Sequence, residues 1–399
     1  MNELIQQILE KSKSNQRQMV QFLRDMIAIP SVSTQEKGVV NRIFHEMEIV
    51  GMDEVRVDGL GNVIGKVGQG KTIIAFDAHI DTVDVGNPSL WTVDPFHGAY
   101  KDGYIYGRGS CDQESGMASM VYAAKIMKEL AILGDFTVYF IGSIMEEDCD
   151  GLCWQYILEE EGIRPDVVVI TEPTNLGVYR GHRGRMEIQI RTSGRSCHAS
   201  APERGDNAIY KMVPIIKGIE QLHGQLKEDA FLGKGSIAVT QIFFQSPSQN
   251  AVPDECTIQL DRRLTWGETK ETVYKELDQV IRNAGVEGEI IDLHYNKPSY
   301  LGTVFPTEKY FPTWLFEEEA DHIQKAKATY ELLFQSKARL GRWDFSTNGV
   351  ATAGIYQIPT VGFGPGNEIY AHAPDERVLD QQLVDAAAFY TLFPLIFTS

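Results

Sequence analysis

Short apolar runs alternate with amphipathic segments along most of the chain. The runs are rich in β-branched residues, which is typical of strands buried on both faces, whereas apolar residues three or four positions apart between them indicate helices. Strands are predicted at 62–67, 72–78, 137–143 and 167–171, and helices between some of them at 115–130 and 152–161. This alternation predicts an α/β fold with a mixed, mostly parallel sheet flanked by helices.

The first thirty residues form one amphipathic segment. Its apolar positions share one face of a predicted helix that ends before Pro30; they are Leu4, Ile5, Ile8, Leu9, Val20, Phe22, Leu23 and Met26. Charged residues interrupt this segment, so it lacks the continuous apolar stretch of a signal peptide or a membrane span. We therefore expect a cytoplasmic protein that does not associate with membranes.

The pattern changes after about Gly181. Strand, helix, strand, strand and helix follow at 186–192, 207–222, 237–244, 257–264 and 269–284, with a possible further strand at 289–295. This order is typical of a compact α+β unit of the ferredoxin-like type. The chain then returns to helix, forms a predicted strand at 360–363 and closes with an amphipathic helix at 380–397. We expect residues 181–295 to be inserted into a larger domain made of 1–180 and 296–399.

Length and charge narrow the class of protein further. A chain of 399 residues is longer than one hydrophobic core usually supports, which agrees with two domains. The formal charge is -18 and the basic residues are scattered, so nucleic acid and anionic membranes are not expected as partners. Five cysteines, an odd number, argue against a disulfide framework and for a reducing compartment.

A histidine and an aspartate directly follow the predicted strand at 72–78. His79 and Asp81 thus stand at the carboxyl end of a strand, where open α/β sheets place their binding sites. Asp81 could accept the second ring N–H of His79, as metal-bound histidines require. Taken alone, this pair is a weak indication of a metal site.

Carboxylates stand at comparable positions further along the chain. Asp112 ends a glycine-rich turn before a helix, where it could bridge two metal ions or simply cap the helix. Glu146 and Glu147 follow the strand at 137–143, so that one can bind a metal while the other stays free as a base; an acidic solvated turn is the alternative. Glu172 follows the strand at 167–171 in the same way. The sequence therefore offers a carboxylate at several predicted strand ends.

A second histidine, His372, lies in a loop that follows the glycine-rich stretch beginning at Gly364. Each of these five elements, taken alone, has a plain explanation as the end of a strand or a surface loop. Their shared position at predicted strand ends or adjoining loops predicts that they meet in one site.

In their order along the chain, these motifs resemble the di-zinc metallopeptidase family that includes acetylornithine deacetylase, succinyl-diaminopimelate desuccinylase and glutamate carboxypeptidase. The match runs from about Ile27 to Val378, and the chain also resembles a bacterial branch of selenium-metabolism-linked hydrolases. The resemblance implies two Zn²⁺ ions per chain, with Co²⁺ or Mn²⁺ as possible substitutes. It implies that His79 and Glu172 hold one zinc, that Glu147 and His372 hold the other, that Asp112 bridges them, that Glu146 is the general base and that Asp81 orients His79.

The resemblance also makes residues 181–295 a lid and dimerisation domain. His198 resembles the family histidine that reaches into the partner's site, which implies an oxyanion-stabilising role; without the resemblance, a lone histidine in such a loop would be a surface residue. Asn250 and Arg263 resemble contacts to a substrate carboxylate, and Gly364 is the third predicted substrate contact. We therefore expect a homodimer that acts on a small substrate with a free carboxylate.

The reaction implied by the resemblance is hydrolysis of an amide-type C–N bond. Water held between the metals would be the nucleophile, and Glu146 would take its proton and pass it to the leaving nitrogen. An N-acyl amino acid deacylase, a dipeptidase or carboxypeptidase, and a hydrolase of a carbamoyl-type bond all remain open. The chain departs from the family after Asp112, where Gln113, Glu114 and Ser115 stand in place of the usual lysine and glycine; we expect this to affect substrate choice.

Two further interpretations compete with this one. A metal-binding or regulatory protein that has lost catalysis is disfavoured, because the predicted base and every predicted ligand are present. An extracellular peptidase is disfavoured by the charged N-terminal segment.

Overall fold

The predicted strands assemble into one mixed sheet in the computed structural model of the protein, which describes residues 1–132 and 134–399. The central strands run parallel, in the order Phe136–Ser143, Thr72–His79, Val167–Ile170 and Thr360–Gly362. Antiparallel strands extend the sheet, with Val63–Gly68 and Glu54–Val57 at one edge and Val178–His182 and Trp314–Leu315 at the other. Leu340–Trp343 pairs in parallel with Val178–His182. The prediction of a mixed sheet with a parallel centre is confirmed.

Helices surround this sheet and enclose one hydrophobic core. They are Asn2–Ser14, Gln16–Ile27, Lys37–Ile49, Glu114–Glu129, Leu152–Glu159, Asp321–Phe334 and Asp380–Phe397. The last helix is buried on nearly every face, because the helices Asn2–Ser14, Glu114–Glu129 and Asp321–Phe334 all pack against it. Its Phe389 ring stacks on Phe363 with the ring centroids 3.8 Å apart. The predicted bounds of this helix, 380–397, agree with the structure. The predicted amphipathic character is wrong, because residues around most of the helix are buried.

The N-terminal segment forms two helices where the sequence predicts one. The break falls at Asn15, which is buried and whose side-chain amide donates a hydrogen bond to the backbone carbonyl of Lys11 at 2.9 Å. Such a bond competes with the helical backbone pattern. Lys125 also donates to the Asn15 side chain at 2.8 Å, so a contact with a distant helix fixes the break.

The unit after about Gly181 has its own sheet and its own core. Its strands are ordered Ser236–Gln245, Glu255–Leu264, Gly184–Ser193 and Glu289–Asp292, and the helices Ala208–Gln225 and Lys270–Ala284 share its hydrophobic cluster. The order of these elements is the predicted one, but the limits differ. Val178–His182 crosses the predicted start at 181 and belongs to the large sheet, and Tyr310–Phe311 pairs with the small sheet beyond the predicted end at 295. We call this unit the lid below.

Short elements complete the fold. Ala99–Lys101, Tyr104–Tyr106 and Arg377–Leu379 form a small sheet, and Glu228–Asp229 with Gly233–Lys234 and His294–Tyr295 with Thr307–Glu308 form two-stranded pairs. Single helical turns occur at Pro88–Leu90, Pro202–Arg204 and Glu368–Tyr370, and a π-helix at Val350–Ile355. Among the residues described, no helix combines the length and the apolar character needed to cross a membrane.

Candidate metal centre

The carboxyl ends of three neighbouring parallel strands carry the polar side chains that the sequence singles out. His79 is the last residue of its strand, Glu146 and Glu147 follow the adjacent strand, and Glu172 follows the strand on the other side. Parallel strands end at the same edge of a sheet, so these side chains converge there. With Asp112 and His372 they line a cavity of about 320 Å³. The structure thus brings all five predicted ligands together.

A buried triad consists of His79, Asp112 and Glu172, and we use this name for it throughout. The Nε2 atom of His79 lies 2.9 Å from Asp112 Oδ1 and 3.4 Å from Glu172 Oε1. Its other ring nitrogen, Nδ1, lies 2.8 Å from the backbone carbonyl oxygen of Asp81. That contact favours a proton on Nδ1 and leaves the Nε2 lone pair for a metal ion.

The carboxylate of Asp81 does not make the predicted hydrogen bond to His79. Its nearer oxygen is 3.7 Å from His79 Nδ1, which is too far for a hydrogen bond, and the backbone carbonyl takes the contact instead. The carboxylate accepts the N–H groups of Glu146 and Glu147, each at 3.1 Å, and the Ser33 hydroxyl at 2.6 Å. Asp81 therefore supports His79 through its backbone and supports the two glutamates through its side chain.

The exposed triad consists of Asp112, Glu147 and His372. The Nε2 atom of His372 lies 3.1 Å from a Glu147 carboxylate oxygen and 3.3 Å from Asp112 Oδ2. The His372 side chain is 53% exposed, and the residue has a φ of 57°, in the left-handed region. Asp112 belongs to both triads, with Oδ1 facing one histidine and Oδ2 the other.

Several carboxylates lie close together in this buried cluster, and a nearby positive charge would stabilise their ionised forms. Burial raises the pKa of Glu172 well above its usual range, and the nearby Asp112 carboxylate adds to this effect. Burial opposes ionisation of Asp112 too, but hydrogen bonds with His372 and His79 lower the pKa of Asp112 below its usual value. Hydrogen bonds to Asp112 and Glu147 raise the pKa of His372 to about 10. Clustered carboxylates of this kind are stabilised by cations.

The donor set fits two divalent metal ions. Within each triad the potential ligand atoms all lie within 4.8 Å of one another. One buried oxygen of Glu172, Oε2, has no hydrogen-bond partner in the described part of the protein, which leaves it available as a ligand. Imidazole nitrogen and carboxylate oxygen are ligands that zinc accepts.

Glu146 stands beside the metal-binding groups but belongs to neither triad. Its Oε2 atom is 3.9 Å from His79 Nε2, and its Oε1 atom is buried without a hydrogen-bond partner among the described residues. Burial raises the pKa of this carboxyl well above its usual range. The geometry thus leaves one carboxylate next to the centre free for proton transfer.

Two arginines of the lid face the same cavity. The predicted Arg263 lines it and is held by Asp261, with Nε 2.8 Å from Oδ1. Arg185, which the sequence analysis missed, stands directly opposite Arg263 on the neighbouring antiparallel strand and also lines the cavity. Its guanidinium lies over the Phe311 ring, 4.6 Å from the centroid. Arg185 precedes the predicted strand, and only the strand register reveals its position.

The other predicted contacts lie elsewhere. Among the residues described, His198, Asn250 and Gly364 do not line the cavity of their own chain. His198 is on the exposed surface of the lid, where the Ser200 hydroxyl is 2.7 Å from its Nδ1, and Asn250 accepts a backbone hydrogen bond from the same loop.

Gly364 packs against the backbone behind Glu172, and its predicted contact with substrate stays a prediction. A Cβ atom added to Gly364 would lie 2.0 Å from the carbonyl oxygen of Thr171 and 2.3 Å from that of Glu172. Glycine is required there for close backbone approach.

Gln113 and Glu114, which depart from the family pattern, are buried next to the glycine-rich turn that ends at Asp112. The Thr171 hydroxyl donates to the Gln113 side-chain oxygen at 2.8 Å, and Glu114 is buried against Gly109. Neither Gln113 nor Glu114 is among the residues that line the cavity in the described chain. If these residues influence substrate choice, as expected from the sequence, they do so without lining the cavity themselves.

Comparison with known proteins identifies the class. The chain is 52% identical to the protein YgeY of Escherichia coli K12 over 97% of its length and 96% of that protein. It is 25% identical to a probable succinyl-diaminopimelate desuccinylase of Staphylococcus aureus, over 91% of this chain and 93% of that one. The fold matches a dinuclear metal-binding peptidase of Bacillus subtilis, YxeP, with a TM-score of 0.69 and 15% identity, covering 97% and 99% of the two chains.

A fold and a cluster of this kind define a metal-dependent hydrolase. The model of peptidase family M20/M25/M40 matches residues 75–395, and the chain belongs to that family. The matched segment contains every residue of both triads.

Proposed function

We propose that the protein hydrolyses an amide-type C–N bond in a small, carboxylate-bearing substrate, with one zinc ion in each triad. The observation that carries this proposal is the position of Asp112. Its Oδ1 lies 2.9 Å from His79 Nε2 and its Oδ2 lies 3.3 Å from His372 Nε2, so a single carboxylate faces both sets of donors. A carboxylate shared in this way suits hydrolases that use two metal ions.

Bound divalent cations supply two things to such a reaction, an acidified water and a polarised substrate carbonyl. The chain's own residues do the rest. Glu146, with a free carboxylate oxygen beside His79, takes a proton from the attacking water and passes it to the leaving nitrogen. The Asp81 carboxylate accepts the N–H groups of Glu146 and Glu147 and thereby fixes the backbone that carries the base, Glu146, and the metal ligand, Glu147.

The lid arginines support a substrate with a free carboxylate. Arg263 and Arg185 both line the cavity, and the planar guanidinium group matches a carboxylate in two-point contact. The relative named as a probable desuccinylase agrees with an N-acylated amino acid as the substrate class. The donors on this chain also accept Co²⁺ and Mn²⁺, so the metal that is bound follows from availability as well as affinity.

We also propose a homodimer formed through the lid, with His198 acting in the cavity of the second copy. Among the residues described, the outer strand Ser236–Gln245 pairs on one side only, and it carries the exposed side chains Ile242, Phe243 and Phe244. An exposed apolar edge strand favours association. His198 is on the same lid and outside its own cavity. The five cysteines are all free thiols, which supports a location in the reducing cytoplasm.

The reaction is tested with zinc-loaded protein and a panel of N-acetyl, N-succinyl and N-carbamoyl amino acids alongside dipeptides. We expect one class to be cleaved, and Glu146→Gln to reduce kcat for that class by about 10²–10⁴ because general base catalysis is lost. Zinc content should stay at the wild-type value in that variant. Wild-type kcat in Glu146→Gln would remove the proposed base, and a wild-type protein that binds no divalent metal would remove the proposal altogether.

The dimer is tested by mixing two variants that we each expect to be inactive alone. Glu146→Gln and His198→Ala chains, unfolded and refolded together, should recover part of the activity in hybrid dimers, because each hybrid contains one cavity with both intact residues. Refolding each variant alone is the control. Hybrids that form and stay inactive would contradict a role for His198 across the interface.

A further inference from the structure

Glu376 connects the two segments that carry the loop-borne ligands. One of its carboxylate oxygens, Oε1, accepts the backbone N–H of Cys111 at 2.8 Å and that of Asp112 at 2.9 Å. The other, Oε2, pairs with Arg108 at 2.5 Å. The side chain is completely buried. Glu376 is also only four residues beyond His372, so one side chain joins the His372 loop to the turn that presents Asp112.

The surroundings of Glu376 are those of a fixed anchor. A buried carboxylate is stable only when charge and hydrogen bonds compensate its lost hydration, and here two amides and a guanidinium do so. The backbone of the same residue adds another link, since Gly107 donates its N–H to the Glu376 carbonyl at 3.0 Å. Arg108 is held in turn by the carbonyl of Asp84 at 3.3 Å and lies over the Trp91 ring.

The two triads depend on this anchor to different degrees. His79 and Glu172 come from adjacent paired strands, and the sheet fixes their separation without Glu376. His372 lies on a half-exposed loop that pairs with no strand in the described part of the chain, and its 3.3 Å approach to Asp112 joins two separate segments. Glu376 is a buried side chain that spans those segments.

We propose that Glu376 is a positioning residue that sets the spacing between Asp112 and His372 and thereby holds the metal ion of the exposed triad. The inference rests on the proposed two-metal function. It assigns Glu376 no contact with substrate and no proton transfer. It predicts that loss of this side chain weakens binding of the ion in the exposed triad more than binding of the other ion.

The test is calorimetric titration of zinc alone into metal-free wild type, Glu376→Ala, Glu376→Gln and Asp375→Gly, each with its fold checked by circular dichroism. Asp375 is the matched control, because it anchors the same loop through Thr92 and has a φ of 54°, which glycine adopts readily. We expect wild type and Asp375→Gly to bind two ions. In Glu376→Ala the weaker ion should lose about 10- to 100-fold in affinity, as for other residues that orient metal ligands. The tighter ion should lose less, because the sheet still holds His79 and Glu172 although Asp112 is shared.

Glu376→Gln keeps an oxygen for the two amides but turns an N–H₂ group toward Arg108, so a smaller loss is expected. If the alanine variant does not fold, the glutamine variant decides, and an unchanged second affinity overturns the inference. Equal weakening in Asp375→Gly, or equal loss of both ions in Glu376→Ala, also overturns it. Failure of wild type to bind two ions would instead overturn the proposed function.

Discussion

The buried and exposed triads share Asp112 and differ in what supports their other members. The His79 side chain is 1% exposed, ends a strand between two paired neighbours and is fixed by the Asp81 carbonyl. The His372 side chain is 53% exposed and belongs to a loop. The hydrogen bonds of the sheet position the first histidine, whereas individual side-chain anchors position the second.

This difference shows how one metal centre can hold one histidine rigidly in the sheet and leave another accessible to solvent. A buried ligand set excludes competing water and holds its ion firmly, whereas an exposed set leaves its ion open to solvent and substrate. We therefore expect unequal binding of the two ions, with the tighter ion in the buried triad.

The largest expected effect comes from removing each histidine in turn. His79→Ala deletes the nitrogen ligand of the buried triad, so the tight ion should be lost together with all measurable activity. His372→Ala should keep the tight ion and lose the other. Metal analysis after dialysis measures both outcomes. Equal losses in the two variants would show that the triads are equivalent and would break the comparison.

The next effect separates the two roles of Asp81. Asp81→Asn leaves the backbone carbonyl that holds His79 but alters the carboxylate that accepts the Glu146 and Glu147 amides. We expect the ion of the exposed triad to weaken about 10- to 100-fold and the tight ion to stay, because only an outer partner of Glu147 changes. Zinc titration measures this. Loss of the tight ion instead would restore the role first predicted for the Asp81 carboxylate, that of orienting His79.

The strand-end half of the site could be anticipated from the sequence. Apolar runs reveal where buried strands end, and parallel strands deliver His79, Glu147 and Glu172 to one edge. Asp112 and His372 could be singled out as a turn carboxylate and a loop histidine, but their turn and loop have no periodic pattern, and the resemblance to a family supplied their roles. The mixed sheet follows from the alternation of apolar runs and amphipathic segments, and the family membership follows from the motifs in their order along the chain.

Contacts between distant segments could not be anticipated. Glu376 and Cys111 are 265 positions apart, and nothing in either local pattern indicates that they meet. The register that sets Arg185 opposite Arg263 and the side chain of Lys125 that fixes the break at Asn15 also depend on the folded chain. Tyr310–Phe311 is too short a strand to predict, so the predicted end of the lid at residue 295 lies before this last strand of its sheet.

A smaller difference between the two triads is expected in the rates at which they release their metal ions. A chelator such as EDTA should withdraw zinc from wild type in two phases, because the exposed triad includes the half-exposed His372, whereas every member of the buried triad is buried. The fast phase should be absent in His372→Ala, which serves as the control. A zinc-sensitive dye follows the release. A single phase in wild type would mean that both ions leave through one shared opening of the centre.

The smallest effect is expected at Ser33, whose hydroxyl donates to the Asp81 carboxylate at 2.6 Å. Ser33→Ala removes one of the donors to that carboxylate and leaves the Glu146 and Glu147 amides in place. A hydrogen bond to a charged group contributes about 1.5–3 kcal/mol, and the remaining donors reduce the loss, so the weaker ion should lose about 10-fold in affinity or less. Ser14→Ala, which removes a hydroxyl bond at the end of the first helix, is the control and should change neither affinity. Because the Asp81 carbonyl is untouched, the tight ion should keep its affinity in Ser33→Ala. An equal loss of affinity for both ions would show that the Asp81 carboxylate supports both triads equally.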